Sequence, residues 1–155
     1  MSAIKSCPEC GAVFVSARSI ADHRRFFGLL RAAYMHWPES HPFKPDNEES
    51  LRAWALVESG HHDVDFIAYP EECQETPAIK TLFRLAVEAT HAACYRKRGY
   101  AAIRVSAGGI EILTPKSIDF RLSQKEFGPI REAVEGIIES ALGVSANQLL
   151  RERAA

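Results

Sequence analysis

The sequence predicts an α+β fold, with three longer helices and one short helix beside a small, mostly antiparallel sheet. Three observations support this prediction. Apolar residues recur at helical spacing in several long segments, residues 62–69 alternate in the manner of a strand, and two short β-rich runs flank a Gly-Gly turn. Hydrophobic residues make up 46% and charged residues 25% of the 155 positions, which is typical of a globular chain.

The first two helices are defined by their ends. Ser19 is a favourable N-cap, and the helix that follows it carries apolar residues as far as Trp37, before Pro38 ends it. We expect Phe26 and Phe27 to lie in the core rather than to act as stacking platforms. A second helix is predicted between a cap at residues 46–47 and Gly60, with an inner face formed by Leu51, Trp54, Ala55 and Leu56.

The remaining elements alternate between sheet and helix. A strand is predicted over 62–69, a helix from Pro77 to about Arg96, and a hairpin formed by 100–106 and 110–113. Ser123 and Glu126 form a capping box that begins a further helix, which Gly143 ends. A short terminal helix follows Ser145. In the third helix, the residues at helical spacing are Ile79, Leu82, Phe83, Ala86, Val87 and Thr90.

Charge and hydropathy limit the class of protein. The formal net charge is -1, so a nucleic-acid site would have to be a local basic patch rather than a basic surface. No apolar run approaches the roughly 20 residues that span a bilayer, and residues 1–5 lack the apolar core of a signal peptide. We therefore expect a cytoplasmic protein without membrane contact. In that compartment, Cys7 and Cys10 would form a metal-binding or redox pair rather than a disulfide.

The N-terminal segment resembles a C2H2 zinc finger. Cys7 and Cys10 are separated by two residues, and His23 follows Cys10 after twelve more, while Phe14 and Ile20 fill the apolar positions of that pattern. Two thiolates on one turn and an imidazole on the following helix can converge on a single Zn²⁺ ion. The sequence therefore predicts a zinc-finger-like hairpin over 1–36 that leads into the first helix, and an α+β body over 37–155, within one domain.

One ligand of the zinc-finger pattern is missing. Phe27 occupies the position of the last histidine, so the fourth ligand of Zn²⁺ would be His41, His61, His62 or water. A water ligand would give a catalytic type of zinc site. A segment that resembles a zinc finger but binds no metal is the remaining alternative.

Three blocks of sequence resemble an uncharacterised family of conserved phage and prophage proteins. The blocks are HRRFFGLL at 23–30, LRAWALVESGHHDV at 51–64 and PKSIDF at 115–120, followed by the helix from Ser123. That family is distantly similar to the lambdoid NinB (Orf) recombination proteins. The resemblance implies a dimeric protein that binds single-stranded DNA and helps to load a recombinase. The cysteine pair and the third helix depart from the family pattern, and no catalytic residue is implied.

Seven basic residues are candidate phosphate contacts. Arg18, Arg24, Arg25 and Arg31 lie along the first helix, and Arg96, Lys97 and Arg98 end the third. On nucleic acid these cations would neutralise phosphates. Arginines on the first helix could equally form a solvated face, and the second group could simply favour the helix dipole.

The sequence leaves three functions open, and it favours a binding protein over an enzyme. The first is a phage-type accessory protein that binds single-stranded DNA in recombination or replication, with a single-strand-binding or recombinase protein as a further partner and a homodimer as a possible state. The second is a protein-interaction module that acts on a host factor. The third is a zinc-dependent nuclease with Cys7, Cys10 and His23 as ligands.

Overall fold

A computed structural model describes residues 5–6, 13–14, 19–70, 76–118 and 122–154 of the chain. It confirms the α+β class. Within these residues there are five helices, one for each helical segment located in the sequence, and two of them, the second and the fifth, are short where the predicted fold class counted one short helix. The helices are α1 (Ile20–Met35), α2 (Glu48–Glu58), α3 (Pro77–Arg98), α4 (Gln124–Leu142) and α5 (Ala146–Ala154).

The strands form a three-stranded and a two-stranded sheet, both antiparallel. The strands are β1 (Lys5–Ser6), β2 (Val13–Phe14), β3 (His62–Ala68), β4 (Ala102–Ser106) and β5 (Gly109–Pro115). β5 is the central strand of the order β3-β5-β4, with Val64 and Ala102 both opposite Leu113. β1 and β2 pair over two residues. Cys7 and Cys10 lie outside the described residues, so the zinc-finger-like hairpin stays a prediction.

The chain divides into two compact units. The terminal unit comprises Met1–Glu48 and Ser117–Ala155, and the central unit comprises Glu49–Lys116. The prediction of one domain over 1–155 is not tested by this division. In the described ranges, no helix has the length and apolar character needed to cross a membrane.

The terminal unit is formed by α1 packed on α4 and α5. Phe26 of α1 meets Phe127 of α4 edge to face with 5.4 Å between ring centroids, and both side chains are fully buried. Val134 and Ile138 extend this core along α4. The prediction that Phe26 belongs to the core is confirmed, whereas Phe27 is only half-buried.

The predicted caps position the helices of this unit. The Ser19 hydroxyl accepts a hydrogen bond from the Asp22 N–H at 3.4 Å. At the start of α4, Ser123 and Glu126 form the predicted capping box. Hydrogen bonds from the hydroxyl and the N–H of Ser123 hold the pKa of Glu126 below its usual value, because they stabilise the carboxylate.

The central unit contains the sheet, α3 and nearly all of α2. α3 packs on β5, whose Ile112 is fully buried. α2 is more deeply buried than predicted, because Ser50 and Val57 lie inside together with the expected Leu51, Trp54, Ala55 and Leu56.

Only one side of α3 is covered, so only some of the residues at helical spacing are buried. Val87 is buried, and Ile79 and Phe83 are half-buried, at successive turns of the helix. Leu82, Ala86 and Thr90 are exposed although they follow the same helical period. Apolar residues of the sheet are also exposed. Val64, Phe66 and Ala68 share one face of β3, and all three are exposed.

Gly109 at the start of β5 allows a close approach that any larger residue would prevent. A Cβ atom there would lie 2.2 Å from the Ile67 carbonyl oxygen and 2.8 Å from Phe66 Cζ. We expect Gly109→Ala to lower the free energy of unfolding by about 1–3 kcal/mol, because the backbone of β3 would have to shift. Chemical denaturation measures this change.

Gly136→Ala is the matched control. Nothing lies within 4 Å of a Cβ atom at Gly136, which is inside α4. The same substitution there should raise the free energy of unfolding by about 0.5–1 kcal/mol, since alanine is the better helix former. Equal effects of the two substitutions would contradict this account of Gly109.

Candidate nucleic-acid interface

The arginines predicted on α1 have different environments. Arg25 donates to Glu135 of α4, with 3.1 Å between Nε and Oε1, and to Asn147 of α5 at 3.0 Å. The Arg25 side chain is 32% exposed, and that of Glu135 is 15% exposed. Because both guanidinium edges already bind groups of the same unit, Arg25 holds three helices together rather than presenting a free cation.

A second arginine, which the sequence analysis did not identify, completes this polar cluster. Arg131 of α4 donates to Asp22 Oδ1 at 2.8 Å, and its Nε lies 3.9 Å from Glu135 Oε1. Gln124 donates its amide to the other carboxylate oxygen of Asp22 and accepts from the backbone N–H of Ser19. The N-terminal end of α1 is therefore joined to α4 by hydrogen bonds in which each side supplies both a donor and an acceptor.

Arg24 and Arg31 are the more accessible cations of α1. Arg24 is exposed, with no ion pair or hydrogen bond to any described residue. Arg31 lies 3.6 Å from Glu48, but both side chains are about half exposed, so this pair is weak. Arg18 lies outside the described residues. α1 thus offers two accessible arginines where the sequence predicted a longer basic face.

The C-terminal end of α3 presents Arg96, Lys97 and Arg98 together. All three are exposed, and among the residues that the structure describes none of them makes an ion pair or hydrogen bond. Successive helical residues point about 100° apart, so the three cations fan around the helix end. Gly99 ends the helix with φ of 79°, a conformation that favours glycine, and its N–H donates to the Tyr95 carbonyl at 2.8 Å.

Two tyrosines flank this basic run. The rings of Tyr95 and Tyr100 lie 6.0 Å apart between centroids, and His91 lies one turn before Tyr95 at 6.3 Å. Burial raises the pKa of Tyr100, with further contributions from Glu58 and Tyr95, so its phenol stays protonated at neutral pH. The arrangement combines three exposed cations with aromatic rings, which is the chemistry that single-stranded nucleic acid requires.

Several other basic residues of the central unit are paired with carboxylates, whereas Lys80 on α3 is exposed without such a partner among the described residues. Arg104 on β4 forms an ion pair with Glu111 on β5, directly opposite in the strand register. Lys116 lies 4.0 Å from Asp63. The run at 96–98 is therefore distinguished as three consecutive exposed cations that all lack an ion-pair partner within the described residues.

The predicted zinc ligands are only partly described. His23 lies in the second turn of α1, half-exposed, with its ring 4.6 Å from that of Phe27. Among the described residues, no three histidine, cysteine, aspartate or glutamate side chains converge as a metal site. Cys7 and Cys10 are outside that set, so the zinc site stays a prediction.

The three candidate fourth ligands lie in different settings. His41 belongs to the terminal unit, where its Nδ1 contacts the backbone of Phe43 and its ring packs on Trp37. His61 and His62 belong to the central unit. His62 Nδ1 lies 3.0 Å from the Val57 carbonyl oxygen, so Nδ1 carries the proton and Nε2 is the nitrogen able to bind a metal.

An open groove of about 520 Å³ lies in the terminal unit, beside the proline-rich loop after α1. Tyr34, Trp37, Pro38, Glu39, Lys44 and Pro45 line it. The Trp37 indole N–H donates to the Phe43 carbonyl at 2.9 Å, which fixes the ring at the groove wall. Trp37 is half-buried and Trp54 is buried, so neither tryptophan forms a fully exposed contact surface.

Sequence reasoning identified the basic run but not its aromatic neighbours. Tyr95 immediately precedes the run and Tyr100 follows it after Gly99. This alternation of aromatic and basic residues is a signal that could have identified them. Comparisons of the chain with protein-family models, curated proteins and solved structures found no match.

The structural role of Arg25, which Arg24 lacks, can be tested by measuring the free energy of unfolding of a variant at each position. We expect Arg25→Met to lower the free energy of unfolding by about 1–2 kcal/mol, because Glu135, at a mostly buried position, would lose its shorter ion pair and keep only Arg131 at 3.9 Å. Arg24→Met should change it by less than about 0.5 kcal/mol. Urea denaturation of both variants measures the difference, and a negligible loss in Arg25→Met would contradict the structural role.

Proposed function

We propose that this chain is a phage-type accessory protein that binds nucleic acid, above all single-stranded DNA, during recombination or replication. One observation carries the proposal: Arg96, Lys97 and Arg98 are exposed at one helix end, without ion-pair partners in the described part of the chain. A net charge of -1 makes such a local patch the form that a binding site must take.

The neighbouring rings favour single strands over duplex as the ligand. Tyr95 and Tyr100 are half-buried beside the run, and an unpaired base that stacks on the exposed part of either ring would leave the neighbouring phosphates to the cations. Bases inside a duplex are already stacked and would not reach these rings. Arg24 and Arg31 are the secondary candidates for phosphate contacts, whereas Arg25 is assigned to the fold because of its pair with Glu135.

A protein partner is the second candidate ligand. Seven large apolar side chains of the central unit are exposed by 38–72%: Val64, Phe66, Tyr69, Leu82, Leu85, Ile103 and Val105. Val64 and Phe66 lie on one face of the sheet and Ile103 and Val105 on the other, and large exposed apolar side chains of this kind are a feature of surfaces that contact proteins. A single-strand-binding or recombinase protein could therefore contact the same unit that binds DNA.

The salt dependence of the affinity distinguishes a site that binds phosphates from a site that binds nucleic acid through uncharged contacts. Replacing Arg96, Lys97 and Arg98 together by Gln should weaken binding of a fluorescent single-stranded oligonucleotide. The slope of log affinity against log salt should become shallower by about 2, because each phosphate contact on a single strand contributes about 0.7. Fluorescence anisotropy at several salt concentrations measures both quantities.

The control removes the same charge from the terminal unit. Lys44, Lys125 and Arg151, all exposed, are replaced together by Gln. This variant should retain most of the slope of the unmodified protein. An equal decrease of the slope in both triple variants would indicate non-specific electrostatic binding. Absence of binding by the unmodified protein at low salt would refute the proposal.

We also propose that Cys7, Cys10 and His23 bind one Zn²⁺ ion that secures the N-terminal segment. Two thiolates and an imidazole are the donor set that zinc prefers, and His23 is accessible on α1. Elemental analysis should give one zinc per chain, and Cys7→Ser should abolish it. Cys94→Ser, which alters a half-buried cysteine of α3, should leave the zinc content unchanged. Equal zinc content in all three proteins would contradict the site.

A further inference from the structure

The open groove of the terminal unit, named here the proline-loop groove, has a shape that its own loop fixes. The Tyr34 hydroxyl donates to the Asp46 carbonyl at 3.1 Å, and the Trp37 indole N–H donates to the Phe43 carbonyl at 2.9 Å. These bonds join the end of α1 to the far side of the loop. The walls of the groove are therefore in place before any ligand binds, which lowers the entropic cost of binding.

The groove offers ring surfaces and few groups that can form hydrogen bonds. The polar atoms of Tyr34 and Trp37 already bind the loop backbone, so a ligand meets mainly the carbon surface of both rings. Two further walls are Pro38 and Pro45, which have no backbone N–H to donate. A ligand that fits must therefore gain most of its contact from apolar rings rather than from backbone hydrogen bonds.

The charges at the groove favour a cationic ligand. Glu39 and Lys44 complete its lining, and both are exposed. Lys44 Nζ lies 3.5 Å from the Pro38 carbonyl oxygen, whereas Glu39 forms no ion pair with any residue that the structure describes. Asp46, which follows the lining residue Pro45, adds a second exposed carboxylate. One ammonium among two carboxylates makes a phosphate a poor occupant and a basic side chain a good one.

One mode of peptide recognition suits these walls. An added β-strand needs a row of backbone donors and acceptors, and a phosphopeptide needs a cluster of arginines. An amphipathic helix buries anchors over two turns, for which a groove lined by six residues is too small. A segment in the polyproline II conformation instead docks its proline rings against aromatic walls and needs few hydrogen bonds.

We propose that the proline-loop groove binds a proline-rich, basic segment of a partner protein in the polyproline II conformation. Trp37 and Tyr34 contact its proline rings, Glu39 pairs with its lysine or arginine, and the Lys44 ammonium donates to one of its carbonyl groups. The groove belongs to the terminal unit and the basic run at 96–98 belongs to the central unit. The proposal therefore does not rest on the binding of nucleic acid.

A series of labelled peptides on the unmodified full chain tests the ligand class. The probe is a fluorescent peptide in which arginine precedes six prolines, and its anisotropy should show binding below about 1 mM. Glutamate in place of the arginine should weaken binding at least about 5-fold, because it would face Glu39. A glycine–serine peptide with the same arginine and length should bind at least about 10-fold more weakly, because it is flexible.

Three results of this series would overturn the proposal. They are absence of binding of the arginine–proline probe at about 1 mM, equal binding of the glycine–serine peptide, and displacement of the probe by an equal concentration of adenosine monophosphate. The last result would assign the groove to a nucleotide.

Substitutions at the groove locate the binding site. Glu39→Gln should weaken the arginine–proline probe about 2–5-fold, as expected for one exposed ion pair, and should not weaken the glutamate peptide. Glu132→Gln is the matched control, because it neutralises a carboxylate on α4 of the same unit that is 71% exposed, and it should leave the affinity unchanged.

Trp37→Leu removes one ring wall and should weaken the probe at least about 10-fold. Circular dichroism checks that this variant is folded, and Glu39→Gln with the peptide series tests the groove independently of it. Unchanged affinity in both Glu39→Gln and Trp37→Leu would overturn the proposal.

Discussion

The packing of α1 on α4 is the interaction on which the terminal unit depends. Phe26 and Phe127 meet edge to face in a fully buried position, and Arg25 joins the same two helices through Glu135, a residue 110 positions further along the chain. Closing so long a connection costs conformational entropy, so the contact needs both apolar burial and a satisfied polar cluster. This requirement explains why part of the basic face of α1 is used for folding rather than for binding.

Local signals in the sequence were sufficient to locate the helices. Ser19, the Ser123 capping box and Gly143 define helix ends through hydrogen bonds within one turn, and they lie where they were predicted. The partner of Arg25 could not be predicted, because Glu135 is remote in sequence and no local pattern connects the two. The buried side of α3 could not be predicted either, since apolar residues occupy both sides of that helix.

The order of the two units along the chain has a consequence for biosynthesis. The central unit is one continuous stretch, whereas the terminal unit is assembled from both ends of the chain. All of residues 49–116 are therefore synthesised before α4 and α5. Until those helices emerge, Phe26 and the apolar face of α1 lack their partners on α4 and α5, so α1 is secured only after the central unit has been synthesised. Nascent chains should accordingly recruit chaperones at α1 until α4 and α5 have emerged.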